Sequence, residues 1–300
     1  MSIYDEIAKS AGVEKHSLFA KDMLTLKAGG RLENVFTPKN VAEFLRVLDA
    51  FEQAGIQPFL LGGGSNVVAM DGQVKTPVVL TTSLDKIRIE NGFAFAECGA
   101  RISVVLRRAR EHNLGGFEFL AGVPLTVGGA CKMNASAFGR QIFDFIESIF
   151  VFSRACDECA GAHNPMRVQE VQKSDVCFGY RKGVGQIVVG AKFRLERIEK
   201  SKSVERAQEC LKERRKRQPI GLSVGSVFKN GELPAGKMIE DCELKGLKVG
   251  GAKISEKHAN FIINEGTATA DDFLTLVEIC EREVERKYNV KLEREFVLLK

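Results

Sequence analysis

Two glycine-rich segments constrain the fold of this chain more than any other feature. The first, LGGGSN at residues 61–66, follows an apolar run (57–61) that we predict as a buried strand. The second, residues 115–139, is long, apolar and almost free of charge, which suits the lining of a planar ligand better than a surface linker. Consecutive glycines let main-chain amides approach a phosphate closely. Although LGGGSN alone could be a tight turn, the pair predicts a phosphate-bearing cofactor.

LGGGSN matches neither of two common phosphate-binding loops. Val67 stands where the G-x-G-x-x-G fingerprint has its third glycine, and the G-K-[ST] of a Walker loop is missing. The residues therefore indicate a cofactor phosphate but not which cofactor.

Length and charge set broad limits. The 300 residues are enough for about two domains, and the net charge of +5 suits anionic small molecules as well as nucleic acid. No apolar run approaches the roughly 20 residues that span a bilayer, and the first residues lack the apolar core of a secretory signal. Most of the eight cysteines stand singly in apolar or periodic segments. We expect reduced thiols, a cytoplasmic location and no membrane insertion.

Periodicity predicts a mixture of helices and strands, an α+β class. Apolar residues at helical spacing predict helices, whereas alternation and short apolar runs predict strands. Asn91-Gly92 predicts a hairpin with a type I′ turn, and Thr269 is a predicted N-cap. The predicted helices are 41–54, 102–112, 203–217 and 270–288, and the predicted strands are 57–61, 147–153, 187–195 and the closing LEREFVLL.

Two further motifs have simple explanations. Cys156 and Cys159, with His163 nearby, form half of a zinc-site pattern, but no second CxxC exists, so we expect a hairpin and no metal. The basic run at 212–218 ends a predicted helix, where cations complement the helix dipole, and no aromatic residue is interleaved to stack bases. We expect no nucleic-acid partner.

Ser226, in GLSVGSVFKN, has two functional interpretations besides a turn. A nucleophile would need a histidine base and an elbow of the G-x-S-x-G type, which is absent. A proton donor needs only the correct position beside an intermediate. Arg181, in FGYRKG, could hold a carboxylate or a developing enolate. Composition and spacing alone do not identify the reaction.

Seven motifs in a fixed order resemble one family. They are LGGGSN, LAGVP-x-TVGGA-x-x-MNASAFG, FGYR, GSVFKN, AGKMIEDCELKG, GGAKISEKHANFIIN and the closing LE-x-E. Together they are similar to UDP-N-acetylenolpyruvoylglucosamine reductases, the flavin-dependent UDP-N-acetylmuramate dehydrogenases of peptidoglycan synthesis, over about residues 25 to 299. The short connection after FGYR resembles the type II subclass, which lacks an inserted loop with an extra tyrosine.

The resemblance implies a two-lobed FAD-binding domain of the PCMH type (vanillyl-alcohol-oxidase-like), followed by a smaller α+β substrate-binding domain. The implied boundaries are an N-terminal extension at 1–24, the FAD domain at 25–197 and the substrate domain at 198–300. It also implies NADPH as hydride donor, a UDP-sugar substrate and a monomer.

The resemblance assigns residues to three roles. The implied catalytic residues are Arg181 for charge stabilisation, Ser226 as proton donor and Glu295 as the acid that completes the site. The implied FAD-binding residues are Leu61, Gly62, Gly63, Gly64, Ser65, Asn66, Gly122, Val123, Pro124, Thr126, Val127, Gly128, Gly129, Asn134, Ala135 and Ser136. The implied substrate contacts are Tyr180, Arg217, Asn230 and His258.

Four positions depart from the family pattern. Leu125 stands for a glycine in the flavin loop, Phe138 for a tyrosine, Gly231 for a proline and Arg294 for another proline. Leu125 bears most on FAD affinity, and none removes a catalytic residue. The alternatives are another flavin oxidoreductase of the same fold, acting on a small alcohol or sugar, and a binding protein without catalysis.

Overall fold

A computed structural model describes residues 2–153 and 168–300. The hairpin predicted around Cys156 and Cys159 lies outside these residues. The described chain forms two compact units, each assembled from separate stretches of sequence. Of the described residues, unit 1 contains 2–14, 36–63, 79–153 and 168–211, and unit 2 contains 15–35, 64–78 and 212–300.

The helices and strands alternate irregularly along the chain, which confirms the predicted α+β class. The α-helices are α1 (Ile3–Ala11), α2 (Ala20–Met23), α3 (Val41–Gln53), α4 (Ile102–Glu111), α5 (Val127–Met133), α6 (Lys200–Arg217), α7 (Ala235–Asp241) and α8 (Ala270–Tyr288). Short 3-10 helices lie at Glu118–Leu120, Ile142–Asp144 and Lys173–Asp175.

Most strands are short. They are β1 (Lys15–Phe19), β2 (Arg31–Phe36), β3 (Phe59–Leu61), β4 (Val67–Ala69), β5 (Gln73–Val74), β6 (Val78–Leu80), β7 (Ile87–Glu90), β8 (Phe93–Glu97), β9 (Leu114–Gly115), β10 (Ser136–Ala137), β11 (Arg140–Gln141), β12 (Ile146–Phe152), β13 (Val168–Gln172), β14 (Val188–Arg194), β15 (Glu196–Arg197), β16 (Lys248–Val249), β17 (Ala252–Ile254), β18 (Ile262–Asn264) and β19 (Val297–Leu299).

Unit 1 is built on an antiparallel sheet with the strand order β13-β12-β14-β8-β7. Asn91 and Gly92 join β7 to β8 with φ values of 50° and 82°, which confirms the predicted hairpin, because a type I′ turn needs positive φ at both positions. Phe117 is fully buried and packs edge-to-face on Phe145 and Phe193, with ring centroids 5.4 and 5.0 Å away. This aromatic cluster anchors the second glycine-rich segment to the core.

Unit 2 packs α8 against the antiparallel sheet β16-β17-β18. The Thr269 hydroxyl accepts a hydrogen bond from the Asp272 N–H at 3.0 Å, and the Asp272 carboxylate accepts one from the Thr269 N–H, also at 3.0 Å. This capping box confirms the predicted N-cap. Phe273, Val277 and Cys280 lie on the buried face of α8.

The sequence-based elements were mostly correct, with three corrections. The predicted helix 203–217 begins earlier, at Lys200. The predicted strand LEREFVLL contracts to Val297–Leu299, which pairs in parallel with β4. The glycine-rich stretch 115–139 is not one continuous loop, because it contains α5. None of the helices in the described part of the chain combines the length and hydropathy that a membrane span requires.

Candidate functional site

The loop after β3 offers a row of main-chain N–H groups. Those of Gly62, Gly63, Gly64 and Ser65 make no hydrogen bond to any residue that the structure describes. Gly64 has φ +63°, and a Cβ there would lie 2.6 Å from the Met23 carbonyl oxygen, so only glycine fits. Successive N–H groups without protein partners are suited to a phosphate or pyrophosphate. Leu61 ends the strand that leads into this loop, and its side chain is buried.

The two glycine-rich segments lie in direct contact within unit 1. A Cβ on Gly62 would lie 2.4 Å from the Thr126 hydroxyl oxygen, and one on Gly63 would lie 3.0 Å from the Pro124 carbonyl oxygen. Gly122, Val123 and Pro124 remain partly or fully exposed beside them.

Helix α5 uses its first N–H groups within the protein. Val127 donates to the Ala100 carbonyl at 2.8 Å, Gly128 to the Cys98 carbonyl at 2.7 Å and Gly129 to the Thr126 hydroxyl at 3.4 Å. These three N–H groups already have protein acceptors, in contrast to those of the loop after β3. Leu125 packs against the core of unit 1, which accommodates this departure from the family pattern.

Asn134 presents a buried acceptor that has no partner among the described residues. It ends α5 in the left-handed conformation (φ 42°) and is 1% exposed. Its Nδ2 donates to the Gln141 Oε1 at 2.7 Å and to the Gly179 carbonyl at 2.9 Å. Its Oδ1 is buried and accepts no hydrogen bond from the residues that the structure describes. A buried unsatisfied acceptor is costly, so this atom fits a ligand that can donate a hydrogen bond, as a flavin ring N–H can.

Tyr180 and Arg181 form the two-residue tip of a hairpin closed by Gly179 and Lys182, whose main chains exchange hydrogen bonds of 2.7 and 3.1 Å. Arg181 adopts a positive φ of 53°, which is uncommon for a residue with a side chain. Its Nη1 donates to the Ser136 hydroxyl at 3.3 Å, and its guanidinium carbon lies 5.5 Å from the Tyr180 ring centroid. Arg181 therefore contacts Ser136, and Asn134, two residues earlier in sequence, is bonded to Gly179 of the same hairpin.

In unit 2, the segments that carry Ser226 and Glu295 are paired. The Glu295 N–H donates to the Val227 carbonyl and the Lys229 N–H donates to the Glu293 carbonyl, each at 2.8 Å. Gly225, with φ 84°, turns the chain immediately before Ser226. Both Ser226 and Glu295 are half-buried. The fold thus brings together two predicted catalytic residues that are far apart in sequence, while the third, Arg181, belongs to unit 1.

The remaining predicted substrate contacts lie at other places in unit 2. Asn230 Oδ1 accepts a hydrogen bond from the Ala235 N–H at 3.1 Å, at the start of α7. Arg217 ends α6 with a largely exposed side chain, 3.8 Å from the Glu213 carboxylate. The Asn230 side chain therefore binds the main chain at the start of α7, and its contact with the substrate stays a prediction.

His258 is half-buried, and its Nδ1 accepts a hydrogen bond from the Asn260 N–H at 3.2 Å. Burial lowers the pKa of His258 below its usual value, and the charge of Lys245 lowers it further. The bond also requires an unprotonated Nδ1. His258 is therefore a neutral group at pH 7, able to donate from Nε2.

Sequence reasoning missed the structural roles of two asparagines in this region: Asn66, which was predicted only as an FAD contact, and Asn260. Asn66 Nδ2 donates to the Glu295 carbonyl at 3.0 Å, and the Asn260 side chain bonds twice to the main chain of Phe228. No local pattern signals either role, because each partner is more than 30 residues away in sequence.

A cavity of about 1240 Å³ lies elsewhere in unit 1, between the β7–β8 hairpin and the start of α6. None of the predicted site residues lines it. Groups of three or more histidine, cysteine, aspartate or glutamate side chains that could hold a metal are absent from the described residues.

Two protein-family models match successive parts of this chain. The model for an FAD binding domain matches residues 32–157, and the model for the UDP-N-acetylenolpyruvoylglucosamine reductase C-terminal domain matches residues 218–299. The order of an FAD-binding domain and a smaller second domain is therefore as predicted.

Relatives that match nearly the whole length of this chain are named UDP-N-acetylenolpyruvoylglucosamine reductase. The UDP-N-acetylenolpyruvoylglucosamine reductase of Caldicellulosiruptor saccharolyticus is 38% identical over 284 residues, covering 92% of this chain and 88% of the relative. That of Chloroherpeton thalassium is 35% identical over 308 residues, covering 98% and 93%. The crystal structure of UDP-N-acetylenolpyruvylglucosamine reductase from Thermus caldophilus matches with a TM-score of 0.78 at 31% identity, covering 96% of this chain and all of that one. The chain belongs to the UDP-N-acetylenolpyruvoylglucosamine reductase family.

Proposed function

We propose that this protein reduces the enolpyruvyl group of UDP-N-acetylglucosamine enolpyruvate to UDP-N-acetylmuramate, using FAD and NADPH, in peptidoglycan synthesis. The pairing that places Ser226 beside the Glu295 segment carries the proposal, because it assembles a hydroxyl donor and a carboxyl group within the matched C-terminal domain. The names and whole-chain coverage of the relatives support it. The cell-wall role extends to cell shape and division, and we place the enzyme in the cytoplasm as a monomer.

The loop after β3 and the segment around α5 would hold FAD. Within the part of the chain that the structure describes, the N–H groups of Gly62 to Ser65 and the Oδ1 of Asn134 have no hydrogen-bond partner. The N–H groups suit the pyrophosphate, and the Oδ1 suits a ring N–H. When bound, this cofactor supplies hydride transfer between a nicotinamide donor and the substrate. We assign residues 1–24 to an N-terminal extension, 25–197 to cofactor binding and 198–300 to substrate binding; the family models, which match 32–157 and 218–299, support the order of the last two.

Each proposed catalytic residue has a distinct chemical role. Addition of hydride at C3 of the enolpyruvyl group leaves negative charge at C2 and its carboxylate. Arg181 is a permanent cation, so it stabilises that charge at any physiological pH. Ser226 donates its hydroxyl proton to C2, and Glu295 completes the site as a carboxylic acid. Tyr180, Arg217, Asn230 and His258 contact the UDP-sugar.

The visible spectrum of the purified protein is the first test. A flavin band at about 450 nm is expected, and a colourless protein that binds no added FAD would contradict every flavoenzyme assignment. The second test is NADPH oxidation, which should require the enolpyruvyl UDP-sugar. If the reduced protein instead reoxidises rapidly with oxygen and ignores that substrate, it is an oxidase of an alcohol or sugar.

A further inference from the structure

Asn260 binds the segment that follows Ser226 through both ends of its side-chain amide. Its Oδ1 accepts a hydrogen bond from the Phe228 N–H at 2.9 Å, and its Nδ2 donates to the Phe228 carbonyl at 2.8 Å. Its own main-chain carbonyl accepts the Val227 N–H at 2.9 Å. Asn260 is only 2% exposed, and Val227 and Phe228 are each 1% exposed. Three hydrogen bonds with Asn260 therefore hold the consecutive buried residues Val227 and Phe228 in place.

The pairing on the opposite side of this segment explains why a side chain is needed at Phe228. Phe228 faces Arg294 in a bridge whose hydrogen bonds are made by the flanking residues, Val227 to Glu295 and Lys229 to Glu293. In such a pair the N–H and C=O of the central residue point away from the partner strand. Those two groups of Phe228 would be buried without partners if Asn260 did not bind them. The Asn260 amide thus takes the place of a neighbouring strand.

We propose that Asn260 is a positioning residue for proton donation by Ser226. This inference rests on the proposed function, in which Ser226 protonates the substrate. Ser226 directly precedes Val227, whereas Gly225 on its other side is a turn residue with φ 84°, whose N–H donates only a long 3.4 Å bond to the Ser223 hydroxyl. The position of the Ser226 hydroxyl is therefore set from the Val227–Phe228 side. The Glu295 segment is bonded to the same residues, so Asn260 also fixes the spacing between Ser226 and Glu295.

Asparagine is the residue type that this position requires. Aspartate would keep the acceptor for the Phe228 N–H but would place a second oxygen against the Phe228 carbonyl. Alanine would remove both bonds and leave both buried groups unpartnered. Asn264 is a matched control, because it is also a buried asparagine of unit 2 with several hydrogen bonds, made by its side chain to residues 26, 27, 266 and 268.

The experiment compares the two half-reactions in Asn260→Ala, Asn260→Asp and Asn264→Ala. Reduction of the bound flavin by NADPH is followed by loss of flavin absorbance, and reoxidation of the reduced protein by the enolpyruvyl UDP-sugar is followed by its return. For both Asn260 variants we expect reoxidation to slow by about 10- to 100-fold, since a misplacement of about 1 Å can cost that much, with flavin reduction within about twofold of the parent. The solvent deuterium isotope effect on reoxidation should rise, because proton donation becomes slower. Asn264→Ala should leave the ratio of the two rates unchanged.

Three results would overturn the inference: unchanged reoxidation in a folded, FAD-containing Asn260 variant, equal slowing of both half-reactions, or the same selective slowing in Asn264→Ala. If Asn260→Ala does not fold, the isosteric Asn260→Asp decides. Ser226→Ala distinguishes the proposed role of Asn260 from the proposed role of Ser226. If Ser226→Ala abolishes reoxidation and the Asn260 variants do not affect it, only the role of Asn260 is wrong. If Ser226→Ala leaves reoxidation intact, the assigned role of Ser226 fails and the inference about Asn260 fails with it.

Discussion

The side-chain amide of Asn66 donates a 3.0 Å hydrogen bond to the main-chain carbonyl of Glu295, 229 residues away in sequence. The Val297 N–H returns a 2.9 Å bond to the Asn66 carbonyl. The end of the loop that we assign to the cofactor phosphate is thereby fastened to the segment that carries a proposed catalytic acid. Asn66 thus has a structural partner in addition to any ligand.

We expect Asn66→Ala to destabilise the protein and to slow substrate reduction. Loss of one hydrogen bond of this kind costs about 1 kcal/mol, and a displaced Glu295 should slow reoxidation of the reduced protein. Urea unfolding and the two half-reactions measure these effects. Asn40→Ala is the control, because it removes the N-cap of α3 in unit 1 at a similar cost of about 1 kcal/mol. Equal rates in the two variants would show that the Asn66 contact does not serve catalysis.

Ser226→Ala should affect only one half of the reaction. Without its hydroxyl the protein cannot donate the proton, so reoxidation by the UDP-sugar should fall by on the order of 10²- to 10⁴-fold. Flavin reduction by NADPH should remain near the parent rate. Ser223→Ala, three residues earlier in the same segment, should retain both rates. A loss of similar size in both halves of the Ser226 variant would mean that this residue only supports the fold.

Gly62→Ala should lower FAD affinity. The added Cβ would lie 2.4 Å from the Thr126 hydroxyl, which cannot move freely because Thr126 is 3% exposed and caps α5. Overpacking of this kind costs about 1–3 kcal/mol. If the unbound loop relaxes away from Thr126 and only the FAD-bound loop bears this cost, the affinity for FAD falls by roughly 5- to 200-fold. Titration of the apoprotein with FAD measures it. Gly185→Ala, where a Cβ has no heavy atom within 4 Å, should bind FAD like the parent.

The contribution of His258 to the stability of the folded protein should decrease as the pH is lowered. Because burial lowers its pKa in the folded protein, the unfolded chain takes up a proton first as the pH falls through about 6.5. The contribution of His258 to the free energy of unfolding is therefore fully present above about pH 6.5, and it is lost as the pH falls toward the folded-state pKa. Lys245 and Glu240 are the charged groups that act on it.

His258→Gln removes the titrating group while keeping a polar side chain. The difference in unfolding free energy between parent and variant, measured in urea at about pH 7.5 and about pH 5.5, should shift in favour of the variant at the lower pH. A difference that is constant across this range, or that shifts the other way, would contradict a neutral, half-buried His258.

The sequence by itself determined the elements whose signals are local. The Asn91-Gly92 hairpin, the Thr269 cap and the amphipathic α8 follow from turn chemistry, capping and periodicity within a few residues, and all appear as predicted. The motifs along the chain also sufficed to identify the family. The length of the short parallel strand β19 was overestimated from the sequence, because its pairing partner, β4, is remote in sequence.

Only the tertiary structure decided the features that depend on distant contacts. Helix α5 contains two glycines, each of which costs about 1 kcal/mol in a helix relative to alanine. It forms because Thr126 caps it and because Ala100 and Cys98 accept its first N–H groups. The roles of Asn66 and Asn260 likewise arise from partners brought close by folding. Local propensity acts over a few residues, whereas a buried hydrogen bond can join any two groups that the fold places at about 3 Å.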